Sequence, residues 1–258
     1  MEALVTRDGL LEAPTVGDDG SVYFSDVLGG GVHRWSADGT VDTVIPKRRG
    51  IGGMCLHADG GLVVSGRDVV HVRDGESRTL LELDGVAGFN DLEPAPDGSI
   101  YVGALRFMPF RNEEPVPGEI WRITEPGVAE QVIDGVEWPN GIGLSPDGGT
   151  LYACDYASGE VIAYAGQRRV FAKSPSGDAD GLAVDVDGGV WVATGSGRGI
   201  ARFSPEGDLE DQLEVPSDFV SSLCFGGSDG RELFITTVGS LFRTTVDRAG
   251  LPRPRATI

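Results

Sequence analysis

The sequence predicts an all-β fold, a six-bladed β-propeller of four-stranded blades that forms a single domain over residues 1–258. Three observations predict it. A turn followed by a strand recurs six times, as DDGSVYFSD, ADGGLVVSG, PDGSIYVGA, PDGGTLYACD, VDGGVWVATG and SDGRELFITT. The anchor glycines, Gly20, Gly60, Gly98, Gly148, Gly188 and Gly230, are spaced by 40, 38, 50, 40 and 42 residues. No segment shows a persuasive 3.6-residue period, while 40 glycines and 15 prolines supply the turns that strand repeats need.

The fourth unit shows how each element arises. Gly141–Leu144 reads as the inner strand and Thr150–Cys154 as the second, joined by a Pro-Asp-Gly hairpin turn. Ala-Ser-Gly then turns the chain into a third strand, Val161–Tyr164, and Arg169–Lys173 forms the outermost. Equivalent third strands are GVHRW, VVHVR, EIWRI, GIARF and SLFRT. The sixth unit lacks a fourth strand, because AGLPRPRATI carries two prolines. ALVTRDGLLEAP aligns with EQVIDGVEWPNG, so Ala3–Arg7 is expected to close the last blade and remove a free sheet edge.

Net charge is −19, with 21 basic against 40 acidic residues. Nucleic acid and anionic membranes are therefore not expected as partners. The N-terminus has neither a basic segment nor a long apolar run, and no stretch approaches a membrane span, so the cytoplasm is the expected compartment. Cys55, Cys154 and Cys224 have no metal-ligand spacing and read as buried reduced thiols. Oligomeric state is left open.

The unit between Gly98 and Gly148 is the long one, and its surplus falls in Leu105–Glu119. Arg106, Phe107, Met108 and Phe110 in that loop point to a lid or a pocket wall.

Eight residues before each anchor glycine stand Glu12, Gly52, Asn90, Asn140, Asp180 and Ser222. Equivalent positions in a propeller lie on one ring about the axis. Two carboxylates and two carboxamides thus converge on one end of the channel, a set suited to a hard divalent cation. Ca²⁺ fits best, Mg²⁺ and Mn²⁺ also suit oxygen donors, and Zn²⁺ is less natural without nitrogen or sulfur. Such a cation polarises a carbonyl and acidifies water, and a carboxylate beside it takes the proton. No G-x-S-x-G elbow and no phosphate-binding glycine loop competes with this chemistry.

Across essentially its whole length the chain resembles the senescence-marker-protein (regucalcin), gluconolactonase and luciferin-regenerating-enzyme family. The specific segments are LLEAPTV, FNDLEPAPDGSIYVGAL, WPNGIGLSPDGGTLYACDYASGEVIAY and ADGLAVDVDGGVWVAT. The resemblance implies a propeller with one axial cation, mostly used for lactone hydrolysis. It implies Glu12, Asn140 and Asp180 as metal ligands, Asn90 at the substrate or a metal water, and Asp180 as the base for the attacking water. Sugar-lactonase members carry an arginine two residues before this asparagine, where the present chain has Gly88. Phe89, Phe107, Met108, Trp138 and Phe219, with Arg106, are then the expected substrate-binding residues, and the expected small-molecule substrate is a more apolar lactone than gluconolactone. The leading function is a metal-dependent lactonase. Its rivals are a phosphotriesterase or isomerase on the same site, and a non-catalytic calcium-binding propeller.

Overall fold

The computed structural model describes every residue except Asn112, which lies within the Leu105–Glu119 loop. The chain is an all-β propeller. β1 (Glu2–Val16), β2 (Val22–Asp26), β3 (Gly31–Trp35) and β4 (Val41–Pro46) lead into β5 (Met54–Leu56), β6 (Leu62–Val64), β7 (Val69–Arg73) and β8 (Glu76–Leu81). Next come β9 (Gly88–Pro94), β10 (Ile100–Leu105), β11 (Gly118–Glu125) and β12 (Val128–Val136), with a 3-10 turn at Pro109–Arg111. β13 (Pro139–Leu144), β14 (Leu151–Asp155), β15 (Glu160–Tyr164) and β16 (Arg168–Lys173) lie within two residues of the strands expected for the fourth unit. β17 (Leu182–Val184), β18 (Val190–Ala193), β19 (Gly199–Phe203), β20 (Leu209–Glu214), β21 (Val220–Gly226) and β22 (Glu232–Thr245) complete the order.

The expected six separate four-stranded blades are corrected by the hydrogen bonding, whereas the N-terminal strand does close the last repeat as expected, by pairing with β22. Among the described residues the sheets number five: four have four strands, and one has six in the order β21-β22-β1-β2-β3-β4. The physical reason is β1. It stays extended for 15 residues. Glu2 to Leu10 pair with β22, and Leu11 to Val16 pair with β2. Asp8-Gly9 is a common turn dipeptide, yet it lies within this strand. Gly9 is instead required by packing, since a Cβ there would lie 2.8 Å from Asp26 Oδ2. The first and sixth repeats therefore share one sheet.

The opening strands of the repeats touch in a closed ring, β1 against β5, β5 against β9, and so on through β13, β17 and β21 back to β1. Burial falls outward from this ring: every residue of β13 is buried, and β20 is almost wholly exposed. The apolar cores lie between adjacent sheets. Phe89 packs with Val69, Leu80, Leu92 and Val102, and Phe171 packs with Tyr152, Leu182 and Phe203.

Inner strands meet so closely that side chains are excluded at the contact. A Cβ on Gly53 would stand 2.4 Å from Leu92 N, and one on Gly141 2.4 Å from Leu182 N. On Gly181 it would meet Ser222 Oγ at 2.2 Å. Hydrogen bonds lace the same junctions. Gly141 N donates to Asp180 O at 3.0 Å and Gly181 N to Ser221 O at 2.9 Å. Ser221 Oγ donates to Leu11 O at 2.6 Å, and Thr15 Oγ1 to Met54 O at 3.1 Å.

The proline-containing tail fastens the opposite end of the axis. Arg253 Nη1 donates to Met54 O at 2.9 Å, Nη2 to Leu92 O at 2.8 Å and Nε to Glu93 Oε2 at 2.7 Å. A cavity of about 920 Å³ at this end is lined by Arg253 and by residues that follow the eight-back positions, among them Val16, Leu56, Leu144 and Val184.

Gly141→Ala is expected to destabilise the fold by about 1–3 kcal/mol, because a buried methyl is forced against backbone on the next strand. Urea unfolding measures this, and wild-type stability in the variant would refute the close-approach argument.

Candidate active site

The ring of contacts sets the depth of each candidate side chain. Glu12 lies on β1, Asn90 on β9 and Asn140 on β13, and Asp180 stands two residues before β17. Glu12 and Asn140 are each 8% exposed and Asp180 2%, while Asn90 is half-buried. Gly52, the equivalent position in the second repeat, is empty for a reason. Its Cβ would stand 2.0 Å from Asn90 Oδ1, so Asn90's amide occupies the space of the missing side chain. Asn90 Nδ2 donates to Pro139 O at 2.9 Å, which ties this amide to the residue preceding Asn140. Ser222 is buried on β21, directly against Gly181.

Asn-Gly at Asn140-Gly141 and Asp-Gly at Asp180-Gly181 resemble turn signals. Here they place a polar side chain toward the axis and, in the next residue, allow the neighbouring strand to approach.

The electrostatics is that of an acidic site removed from water. Burial first, and then the charge of Asp91, push the Glu12 carboxyl well above its usual range. Burial also raises Asp180, reinforced by the charges of Glu12, Asp178 and Asp91 and opposed by the Asn140 side chain. Asp91 is raised to about 7 by burial, with Arg253 pulling the other way. Among the described residues the buried side-chain atoms without a hydrogen-bond partner are His33 Nε2, Arg34 Nε and Asp180 Oδ1. An unpaired carboxylate oxygen beside a second buried carboxylate is costly unless a cation or a proton satisfies it. Among the described residues no three His, Cys, Asp or Glu side chains gather as a ligand set. A metal here therefore needs the carboxamides as well, and Glu12, Asn140 and Asp180 together offer the all-oxygen donors that a hard cation takes. The residues present fit such an ion.

The expected substrate residues divide. Phe107 is 3% exposed and meets Trp138 edge-on, with ring centroids 5.1 Å apart. Trp138 in turn lies 4.5 Å from the Tyr156 ring. Asp155 accepts from the backbone N–H groups of Glu137 and Trp138 at 3.1 and 3.0 Å, which fixes the segment leading to Asn140. Phe219 is half-buried, just ahead of β21.

The others are not brought to the site in the expected way. Phe89 belongs to the core between the second and third repeats, because strand alternation turns it away from its neighbour Asn90. Arg106 is engaged by Glu119, with Nε 3.0 and 3.1 Å from its two carboxylate oxygens. Met108 is 36% and Phe110 61% exposed, whereas Phe107 turns inward onto the Trp138 wall. At Gly88 a Cβ would lie 3.2 Å from Gly66 O, so a side chain there crowds the second repeat.

Sequence reasoning missed Tyr156, Asp178 and Asp91. Tyr156 sits in a segment that reads as a plain hairpin turn. Asp178 and Asp91 carried a usable signal, lying two residues before Asp180 and one after Asn90.

A propeller with buried carboxylates and carboxamides gathered at one end of its axis, beside an aromatic wall, defines a class of axial-site propellers. The chain belongs to the SMP-30/gluconolactonase/LRE-like family, whose model matches residues 10–239. It is 29% identical to a pentonolactonase from Haloferax volcanii over 86% of this chain and 79% of that protein. It is 30% identical to a 6-deoxy-6-sulfogluconolactonase from Pseudomonas putida, covering 84% and 78%. Its fold superposes on a gluconolactonase structure from Xanthomonas campestris with a TM-score of 0.84 and 28% identity, over 94% of this chain and 88% of that one.

Raised carboxylates keep protons in the folded chain that the unfolded chain has already lost. Across the interval from 3.8 to about 7 that Asp91 spans, with Glu12 and Asp180 raised in the same direction, the folded state holds more protons. The contribution of these three groups to the unfolding free energy then falls as pH rises through that interval. Chemical denaturation of chelator-treated protein is expected to show this decline, and Asp180→Asn to flatten it. A metal-free protein that gains stability from pH 4 to 7 would contradict the assignment.

Proposed function

We propose that this chain hydrolyses a lactone at the axial cluster, with one divalent cation, calcium in the first instance, held by Glu12, Asn140 and Asp180. The carrying observation is Asp180, whose Oδ1 is buried without a partner beside a second buried carboxylate. The lactonase names of the relatives support the reaction type. A bound cation would supply Lewis acidity toward the lactone carbonyl and toward water.

The chain's own groups do the rest. Asp180 takes the proton of the attacking water as its oxygen bonds to the carbonyl carbon. Burial and the Glu12 charge raise its proton affinity above that of an ordinary carboxylate, which makes it a stronger base. The ring C–O bond then breaks, and the departing alkoxide recovers the proton from Asp180. Asn140 steadies Asp180 from the adjacent strand. Asn90, tied to Pro139 O, holds its amide in one orientation toward the substrate. The Phe107–Trp138 wall excludes water and receives an apolar substrate face. With no arginine at Gly88, the preferred substrate is a lactone less uniformly hydroxylated than an aldonolactone.

A strong chelator is expected to abolish lactone hydrolysis, and added Ca²⁺, Mn²⁺ or Mg²⁺ to restore it and raise the thermal midpoint. Under the same assay Asp180→Asn is expected to lose nearly all activity, while Ser222→Ala, at the equivalent position, stays close to wild type. Full activity in metal-free protein, or equal losses in the two variants, would overturn the mechanism.

Gly52→Ala tests the placement of Asn90. Its methyl is forced onto the Asn90 amide, and kcat/KM is expected to fall by up to about 10²-fold. Unchanged kcat/KM would show that Asn90's position is not used.

A further inference from the structure

The inner strands depart from regular pairing beside the axial cluster. After Glu12, two residues of β1, Ala13 and Pro14, face one residue of β2. The same two-for-one bulge falls at Asn90–Asp91 of β9 and at Asn140–Gly141 of β13. A bulge re-aims the side chains next to it. The bulge in β1 is strained. Ala13 has a φ of 53°, left-handed backbone that a residue with a Cβ rarely adopts. It also precedes Pro14, a position that favours extended backbone. Turned this way, Ala13 N donates to Glu12 Oε2 at 3.4 Å, so the strained peptide touches the carboxylate that it aims. Strain of this kind persists only where the surroundings over-determine it.

Those surroundings come in part from the sixth repeat. Ser221 on β21 is fully buried, and its Oγ donates at 2.6 Å to Leu11 O, the carbonyl of the peptide that joins Leu11 to Glu12. The Thr236 hydroxyl on β22, also fully buried, lies 3.1 Å from Ser221 Oγ. Beyond the bulge, Thr15 Oγ1 donates to Met54 O at 3.1 Å. Hydroxyl bonds to neighbouring repeats thus clamp the strained segment on both sides. Ser25 offers a matched arrangement one repeat on. It is equally buried, and its Oγ donates at 2.7 Å to Ile51 O, the carbonyl before Gly52. There the residue that follows brings no oxygen to the axis.

Resting on the divalent-cation reading, we propose that Ser221 is a positioning residue for the axial cation: its hydroxyl, holding Leu11 O, keeps the bulge at Ala13 in the form that presents the Glu12 carboxylate to the axis. Ser222, at the equivalent position of the sixth repeat, is packed against Gly181. The sixth repeat therefore serves the site by setting a ligand in the first. Cation binding is coupled in this way to the seam between the last repeat and the first.

The test is calorimetric titration of chelator-stripped protein with CaCl₂, MnCl₂ and MgCl₂, beside thermal unfolding of the metal-free form. Ser221→Ala and Ser25→Ala each remove one buried hydroxyl from an equivalent junction, and both are expected to lower the metal-free midpoint. Only Ser221→Ala is expected to weaken cation binding, by about tenfold, the loss typical of removing a group that orients a metal ligand. Ser221→Thr, which keeps the hydroxyl, is expected to bind close to wild type. Should Ser221→Ala not fold, Ser221→Cys takes its place, with a weaker donor in the same position, and is expected to lose part of the affinity. Wild-type affinity in the variant that lacks the hydroxyl, or an equal loss in Ser25→Ala, would overturn the proposal and leave the cation reading intact. A wild-type protein that binds none of the three cations refutes that reading and the proposal with it.

Discussion

The close approach of inner strands around the axis is the constraint on which the rest of this molecule depends. Where backbones come within reach of one another, a side chain has no room, and Gly53, Gly141 and Gly181 meet that demand. The residue before Gly141 or Gly181 then has one free direction for its side chain, toward the axis. A packing requirement of the ring thus becomes a polar cluster at its end. Gly52 extends the same logic to a second use, because its missing side chain is the seat of Asn90's amide.

Burying Glu12, Asp91 and Asp180 along the axis opposes folding, since water is removed from each carboxylate and their charges repel. The protein accepts this at one end of the axis and balances part of it at the other. Arg253 brings a guanidinium against Glu93 and within reach of Asp91, and its donors also satisfy backbone carbonyls of β5 and β9. The two ends of the channel are thereby linked through β9, whose residues Asn90, Asp91 and Glu93 face the site, the junction and the tail in turn. Functional sites commonly carry such local instability, and the surrounding sheets hold it in place.

Much of the fold was legible because the repeat writes itself in turn chemistry. Pro-Asp-Gly before an alternating strand is a strong local signal, and the fourth unit's strands fell within two residues of expectation. The full length of β1 carried no such signal, since Asp8-Gly9 is a common turn dipeptide that here lies within a strand, and the fusion of the first and sixth repeats into one sheet was not foreseen. Equivalent positions in the repeat located Glu12, Asn90, Asn140 and Asp180 without reference to structure. Aromatic residues were harder, because hydrophobicity does not say which face of a sheet a ring occupies. Phe89 could have been assigned to the core by alternation from Asn90, whereas Arg106 could not, since its engagement with Glu119 spans a loop of irregular course. Arg253 carried no pattern at all, being a lone arginine between prolines.

The pairing of β1 with β22 sets a schedule for the growing chain. One edge of β1 has no partner until the residues from Glu232 onward have been made. At about 5–20 residues per second, that wait is roughly ten to forty seconds. During it the N-terminal residues Glu2 to Leu10 present unpaired backbone groups, the template on which strands from other chains add. Glu2, Thr6, Arg7 and Asp8 interrupt the apolar positions of this segment, charged and polar residues of the kind that guard an open edge. The contact that joins the two ends of the ring thus cannot form before the last strand has been made.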